Sequence, residues 1–120
     1  MQEECTSIFN SSLDPSQIAP AVFIKKCLEL TGTVLEKERR VRIFIFGSRA
    51  LGQAVPQSDI DLGIDIGHPV SPLVMDRIRE EFEQLPIFQK VDVVDFSSVD
   101  QDFKKVALKH SILLYDRQAA

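Results

Sequence analysis

The sequence predicts an α/β (α+β) domain in which a small mixed β-sheet is flanked by helices. Residues 41–46 are mainly β-branched and aromatic and end in the apolar run at residues 43–46, which is typical of a buried strand. Residues 60–66 alternate strictly between apolar and polar side chains, as expected for a strand with one apolar face. Helical periodicity precedes the first run and follows the second, so helices and strands alternate along the chain.

The first helix is predicted near the start of the domain. Residues 1–13 are polar and irregular and are expected to form a lead-in, with a single domain over residues 14–120. Asp14 followed by Pro15 predicts a helix start, and Pro20 offers an alternative start because proline removes a helical N–H donor. Residues then recur at helical spacing on one side, namely Ile24, Cys27, Leu28, Thr31, Val34 and Leu35.

The second half of the chain predicts two more helices and two more strands. Ser71 followed by Pro72 is a helix start, and Pro86 ends that helix. Residues 90–96 predict a third strand, and residues 112–115 predict a short final one. The apolar stripe of the second helix comprises Val74, Met75, Ile78, Phe82 and Leu85. The last helix is expected to begin at a capping box of Ser98 and Gln101 and to turn Phe103, Val106 and Ala107 inward.

The composition is that of one soluble globular domain. The chain has 120 residues, of which 44% are hydrophobic and 27% are charged, with a formal net charge of −4. This acidic balance argues against direct nucleic-acid binding. Cys5 and Cys27 lack the spacing of a zinc site and are expected to be free thiols in a reducing compartment. Neither a membrane span nor a secretory leader is visible, so a cytoplasmic location is expected.

Two short motifs separated by ten residues carry the predicted chemistry. Gly47 and Ser48 follow the first strand, where a turn of small residues can present backbone N–H groups to phosphate. Asp59 and Asp61 open the second strand, and their spacing of two places both carboxylates on one face. Such carboxylates repel each other unless a cation lies between them, and oxygen ligands suit Mg²⁺. The alternative interpretation of this pair is an exposed polar strand face.

Asp92, in the third predicted strand, is a candidate third ligand. Asp92 and Asp95 point to opposite faces, so at most one of them joins the pair. Asp92 is preferred, because a carboxylate among valines needs a partner that offsets its desolvation. Asp65 shares the face of the pair but is expected to be a solvated strand end. Arg49 is placed either to contact a phosphate through its fork of donors or to remain a solvated loop residue.

These motifs resemble those of the minimal nucleotidyltransferase (MNT) family of the DNA polymerase beta superfamily. The likeness rests on the segment FGSRALG at residues 46–52, the segment SDIDL at residues 58–62 and the segment VDVVD at residues 91–95. It extends over roughly residues 20–117, which is nearly the whole predicted domain. The resemblance implies a nucleotidyltransferase fold.

The resemblance also implies an activity, cofactors and a partner. AMP, or another nucleoside monophosphate, would pass from ATP to an acceptor hydroxyl, with two Mg²⁺ ions as cofactors. The implied catalytic and metal-binding residues are Asp59, Asp61 and Asp92, and the implied nucleotide-binding residues are Gly47, Ser48 and Arg49. The expected partner is a helical HEPN-type protein. Such a pair resembles a toxin–antitoxin system in which the nucleotidyltransferase acts as antitoxin by adenylylating a toxin tyrosine.

The sequence departs from the family pattern at two places, and three other functions are alternatives. Many relatives carry arginine where Leu51 stands, and an acidic residue followed by glycine where His110 and Ser111 stand. A catalytically silent module that neutralises its partner by contact alone is consistent with the missing arginine. A small-molecule nucleotidyltransferase, acting for example on an aminoglycoside, normally carries an additional helical domain. A glycosyltransferase also uses an Asp-x-Asp pair, but the upstream Gly-Ser and the short chain disfavour it.

Overall fold

The structure, a computed structural model, describes residues 19–52 and 57–118. These ranges form three α-helices, a short 3-10 helix (Gly47–Arg49) and one four-stranded sheet. The helices are α1 (Ala21–Thr31), α2 (Pro72–Glu83) and α3 (Gln101–Lys109). The strands are β1 (Arg40–Phe46), β2 (Ile60–Asp65), β3 (Val91–Asp95) and β4 (Ile112–Gln118). The predicted α/β architecture, a small mixed sheet flanked by helices, is therefore confirmed.

The strand order β3-β2-β1-β4 places the two motif-bearing strands, β1 and β2, at the centre of the sheet. β1 pairs antiparallel with both β2 and β4, whereas β2 pairs in parallel with β3. Parallel neighbours need a crossover connection, and α2 supplies it. As a result, the last residue of β1 and the first residues of the other three strands lie at one edge, here called the site edge. Its residues are Phe46, Ile60, Val91 and Ile112.

One face of the sheet forms the main core with α1 and α2. Its fully buried sheet residues are Val41, Ile43, Ile45, Ile60, Leu62 and Ile64. Between the two helices, the Phe23 and Phe82 rings lie 5.2 Å apart. Lys26 Nζ donates a hydrogen bond of 2.8 Å to Glu81 Oε1, which joins α1 to α2 at the rim. The α2 prediction is confirmed, because Ser71 caps its first turn and Met75, Ile78 and Phe82 are buried.

The opposite face is only partly covered, by α3 and an aromatic cluster. The Phe96 ring lies 4.6 Å from that of Phe44, and Phe103 of α3 extends the cluster at 6.0 Å from Phe46. Gly63 lies beneath these rings, because a Cβ atom there would come within 2.9 Å of Phe96 Cε1. The aromatic rings therefore occupy the space that a side chain at this position would need.

Helix α1 and strand β4 differ in detail from the prediction. α1 begins after Pro20, as the alternative start predicts, whereas the proposed start at Asp14 lies outside the described residues. Leu28 was expected to be buried but is 45% exposed, and Leu30 is buried in its place. β4 continues to Gln118 because it pairs along the whole of β1. No helix in ranges 19–52 and 57–118 is long and apolar enough to cross a bilayer.

The start of α3 corrects the predicted capping box. Asp100 is the N-cap, and its Oδ1 accepts a hydrogen bond of 3.0 Å from the N–H of Phe103. Ser98 instead donates from its hydroxyl to Asp95 Oδ2 at 3.0 Å, within the turn that follows β3. Val106, expected to face inward, is 68% exposed. One side of α3 is therefore less buried than its apolar residues predict.

Candidate active site

The turn that follows β1 packs directly against the acidic motif. Gly47 begins a single 3-10 turn with φ of +79°, a backbone conformation that favours glycine. A Cβ atom at Gly47 would lie 3.3 Å from Cγ of Asp61 and would overlap its Oδ2. Glycine is therefore required both by the backbone conformation and by the close approach of the carboxylate. The predicted phosphate-binding turn and the predicted metal-binding residue are in contact.

Asp61 and Asp92 lie side by side on neighbouring strands. They are Cα partners in the parallel β2–β3 register, and Asp61 is also the partner of Phe46 at the end of β1. Cross-strand partners share a face, so both carboxylates project away from the main core. Burial raises the pKa of Asp61, and the negative charges of Asp92 and Asp59 raise it further. The structure therefore brings the three predicted carboxylates within electrostatic reach of each other.

Asp59 lies immediately before β2, where Arg49 holds the main chain. Arg49 Nη2 donates a hydrogen bond of 2.6 Å to the carbonyl oxygen of Ser58, and its Nε donates one of 3.3 Å to that of Asp59. Arg49 is only 7% exposed, so the interpretation as a solvated loop residue is wrong. Burial lowers the pKa of its guanidinium, and the Asp59 carboxylate opposes this shift. The predicted contact of Arg49 with a phosphate stays a prediction.

Asp92 is exposed, contrary to the expectation that neighbouring valines bury it. Val93 faces the main core, whereas Asp92 lies on the face that α3 leaves open. Asp95 plays a different part, because its carboxylate accepts hydrogen bonds from the N–H groups of Val70 (2.8 Å) and Ser97 (3.0 Å). Asp95 thus stabilises the turn after β3, and Asp92 is the one of the two that lies beside the acidic pair.

Asp65 is buried, so the prediction of a solvated strand end is wrong. It is 5% exposed, and its Oδ2 lies 3.5 Å from Arg40 Nη2 and 3.8 Å from Lys104 Nζ. Its Oδ1 also accepts a hydrogen bond of 2.9 Å from the N–H of Gly67. The reason is that α3 covers this end of β2 and contributes a cation. Asp65 lies at the end of β2 remote from the site edge.

An apolar cavity of about 260 Å³ adjoins the turn. Its lining residues are Phe46, Gly47, Leu51, Phe103, Val106, Ala107 and His110. No local sequence pattern predicts this cavity, because its walls come from two segments that are distant along the chain. Leu51 and His110, two of the positions at which the chain departs from the family pattern, both lie on this cavity. The two departures therefore fall in one place beside the turn.

The acidic residues offer the oxygen donors that Mg²⁺ prefers. A cation between Asp61 and Asp92 would offset the repulsion that contributes to the raised pKa of Asp61. Among the residues that the structure describes, no group of three or more His, Cys, Asp or Glu side chains is arranged closely enough to hold an ion. The carboxylate oxygens of this donor set fit magnesium in their chemistry.

The fold and the acidic site define a class of protein. Residues 22–120, which are most of the chain, match the family described as Polymerase beta, Nucleotidyltransferase. The chain therefore belongs to this family of nucleotidyltransferases. The resemblance drawn from the Gly-Ser turn and the Asp-x-Asp pair is confirmed, together with the nucleotidyltransferase fold.

Three similar proteins extend this finding. The chain is 30% identical over 76 residues to the Haemophilus influenzae protein named Probable protein adenylyltransferase MntA, spanning 63% of this chain and 67% of the relative. Its fold matches a crystal structure of a toxin–antitoxin with AMP-PNP at a TM-score of 0.61 and 18% identity, covering 79% of this chain and 74% of the other. It also matches a structure of tri-AMPylated Shewanella oneidensis HEPN toxin in complex with MNT antitoxin, at a TM-score of 0.57 and 17% identity, covering 78% and 70%.

Proposed function

We propose that this protein transfers AMP from ATP to a hydroxyl group of a protein acceptor in a Mg²⁺-dependent reaction, and that the acceptor is a HEPN-type toxin. The observation that carries the proposal is the contact of the Gly47 turn with Asp61, beside Asp92. This contact joins a phosphate-binding element to an acidic cluster. The name of the Haemophilus influenzae relative supports the reaction, and the two toxin–antitoxin structures support the nucleotide and the acceptor.

Gly47 and Ser48 are proposed to hold the triphosphate of ATP. Gly47 leaves the backbone of the turn open to close approach, and Ser48 is exposed with a hydroxyl donor. The turn keeps its shape through hydrogen bonds of 3.1 Å and 3.2 Å from the N–H groups of Ala50 and Leu51 to the Gly47 carbonyl. The turn is therefore a preformed element, and the nucleotide need not order it on binding.

Asp59, Asp61 and Asp92 are proposed to hold two Mg²⁺ ions. When bound, such ions stabilise charge on the attacking and leaving oxygens of an in-line displacement. Asp92 is exposed at the site edge, so an acceptor hydroxyl can approach it from solvent and transfer its proton to the carboxylate. The hydroxyl oxygen then bonds to the α-phosphorus of ATP while the bond to the β-phosphate oxygen breaks, which releases pyrophosphate. A cytoplasmic location supplies both ATP and Mg²⁺.

The proposal is tested by intact-mass measurement of the complex. The protein is co-purified with its HEPN-type partner and incubated with ATP and Mg²⁺. We expect the partner to gain one or more AMP units, and we expect the double variant Asp59→Asn/Asp61→Asn to abolish the gain. The matched control is Asp76→Asn, which removes an exposed carboxylate on α2, 3.9 Å from Arg79, and leaves transfer intact.

Two other results would redirect the assignment. A stable complex without mass gain, unchanged by the double variant, would identify a silent binding module that acts by contact alone. AMP transfer to an aminoglycoside, without transfer to the partner protein, would identify a small-molecule nucleotidyltransferase. Both results overturn the proposed acceptor, and the first also overturns the proposed chemistry.

A further inference from the structure

We infer that Arg49 is a positioning residue, which fixes the main chain of Asp59 against the phosphate-binding turn. This inference rests on the proposed function, because it assigns Arg49 to the same site. In this role the guanidinium supports transfer through Asp59 and not through contact with a phosphate group. Three features carry the inference: the direction of the hydrogen bonds, the burial of the side chain and the place of Asp59 in the chain.

The fork of the guanidinium spans two consecutive peptide carbonyls. Nη2 donates to the Ser58 carbonyl at 2.6 Å, and Nε donates to the Asp59 carbonyl at 3.3 Å. Arg49 itself is the last residue of the turn that begins at Gly47. The side chain therefore connects the end of the turn to the segment that carries the first catalytic carboxylate.

The burial of Arg49 indicates that these bonds are structural. Arg49 is 7% exposed, so its guanidinium has lost most of its hydration. The free-energy cost of this desolvation is offset only where hydrogen-bond acceptors replace water. The lowered pKa of Arg49 has this burial as its main cause, with the nearby Asp59 charge opposing it. A lysine ammonium is a point charge without a rigid fork, so it cannot reproduce both carbonyl contacts.

The position of Asp59 in the chain explains why the hydrogen bonds from Arg49 matter for the geometry of the site. Asp59 precedes the first ladder residue of β2, and the next N–H, of Ile60, donates to the Lys90 carbonyl at 2.8 Å. Arg49 donates to the Asp59 carbonyl of the same peptide group. The main chain at Asp59 is therefore held by hydrogen bonds at both its carbonyl oxygen and the following N–H. Gly47 already contacts the Asp61 side chain. One turn therefore sets the positions of both carboxylates of the pair.

The test compares Arg49→Lys and Arg49→Gln with the wild type in complex with the partner. Hydrogen exchange of the amides in residues 57–60 is measured first, because it does not depend on activity. We expect exchange about 10-fold faster or more in both variants, confined to that segment. In steady-state kinetics we expect kcat to fall about 10- to 100-fold, with KM for ATP changed less than about threefold, as for a misplaced catalytic group.

Two further variants give the comparison. Ser48→Ala removes a proposed phosphate donor and is expected to raise KM for ATP without altering exchange in residues 57–60. Arg77→Gln removes an exposed arginine on α2, whose Nε lies 3.6 Å from Glu81 Oε2, and is expected to match the wild type in both measurements. If Arg49→Gln does not fold, as its melting curve would show, Arg49→Lys alone decides the outcome.

The inference is overturned if exchange in residues 57–60 is unchanged in the Arg49 variants. It is also overturned if Arg49→Lys keeps wild-type kcat, or if the Arg49 variants raise KM for ATP at constant kcat, since both results indicate a charge that acts on phosphate. Failure of the proposed function gives a separate signature. In that case the wild type transfers no AMP to any acceptor, while the exchange measurement still decides whether Arg49 holds the Asp59 segment.

Discussion

At the scale of single residues, the site depends on a glycine whose missing side chain matters in two ways. Gly47 has a positive φ, and the space next to its Cα is filled by the Asp61 carboxylate. Gly52, at the other end of the same loop motif, also has a positive φ (+73°), but a Cβ atom there would meet no atom of residues 19–52 and 57–118 within 4 Å. The two glycines therefore separate the backbone requirement from the packing requirement.

We expect Gly47→Ala to damage the site more than Gly52→Ala does. Each substitution places alanine in the left-handed region, at a cost of about 1–2 kcal/mol in the free energy of unfolding. Gly47→Ala also displaces Asp61, so we expect transfer to fall by about 100-fold or more. Denaturant unfolding and the rate of AMP transfer measure the two effects. Equal losses of activity in the two variants would contradict a specific contact between Gly47 and Asp61.

His68 offers a second test at this scale, remote from the site. Its Nε2 lies 2.8 Å from Glu38 Oε1, and this hydrogen bond is the main cause of a pKa raised above 6.5, with the Pro69 carbonyl contributing next. The protonated ring is favoured in the folded state. Its stabilising contribution is therefore complete below pH 6.5 and is lost as the pH rises through the folded pKa. We expect NMR titration to show this raised pKa and Glu38→Gln to return it toward 6.5; no change in Glu38→Gln would refute the pairing.

At the scale of elements, the position of α3 determines how much of the sheet face that carries the acidic site is exposed to solvent. It covers the aromatic cluster and one end of β2, where Lys104 lies near Asp65, and it leaves Asp92 exposed. The sequence predicted the existence of α3 and an inner side of Phe103, Val106 and Ala107, but Val106 is exposed. Its apolar residues at 103, 106 and 107 share one side, and the sequence alone does not show that this side lines a cavity.

The N-cap of α3 is tested by Asp100→Ala against Ser98→Ala. Removal of the Asp100 carboxylate leaves the Phe103 N–H without its acceptor, so we expect a loss of about 1 kcal/mol in stability. Hydrogen exchange of the Phe103 amide should accelerate in Asp100→Ala. It should stay protected in Ser98→Ala, because the Ser98 hydroxyl bonds to Asp95. Loss of protection in Ser98→Ala alone would restore the capping box that the sequence predicts.

Local sequence patterns determine the strands of this domain but not which of its polar side chains are buried. Alternation and β-branching predicted β1 and β2 because one face of each strand is buried in the main core. The same patterns did not reveal that Asp65 is buried or that Arg49 turns inward, since both depend on partners from distant segments. The small residues Gly47 and Ser48 after β1 identified the turn, but its contact with Asp61 follows from the strand register.

At the scale of the whole molecule, the acidic site opposes the stability of the fold. Asp61 is partly buried and has a raised pKa, because burial and the charges of Asp92 and Asp59 disfavour its ionised form. At neutral pH, ionisation of this group therefore costs free energy in the folded state unless a cation binds. The residues proposed for catalysis therefore lower the stability of the fold, as is common for active sites.

We expect Asp61→Asn to raise the melting temperature in the absence of divalent cations, because it removes one of the repelling charges. Added Mg²⁺ should raise the melting temperature of the wild type, since an ion that binds only the folded state stabilises it. The increase should be smaller in Asp61→Asn, which should also lose AMP transfer. Thermal unfolding with and without MgCl₂ measures these shifts, with Asp76→Asn as the control. A variant that is less stable than the wild type without metal would contradict the repulsion.

The pairing of β1 with β4 has a consequence for co-translational folding. Ile43 pairs with Tyr115, and Arg117 donates hydrogen bonds to the carbonyls of Leu35 (2.6 Å) and Glu38 (2.9 Å). Such contacts close a long loop, which makes them slow to form. All the acidic residues of the site are synthesised before this strand. We therefore expect the nascent chain to leave one side of β1 unpaired until residues 112–118 have emerged, so that competence for catalysis follows the synthesis of β4.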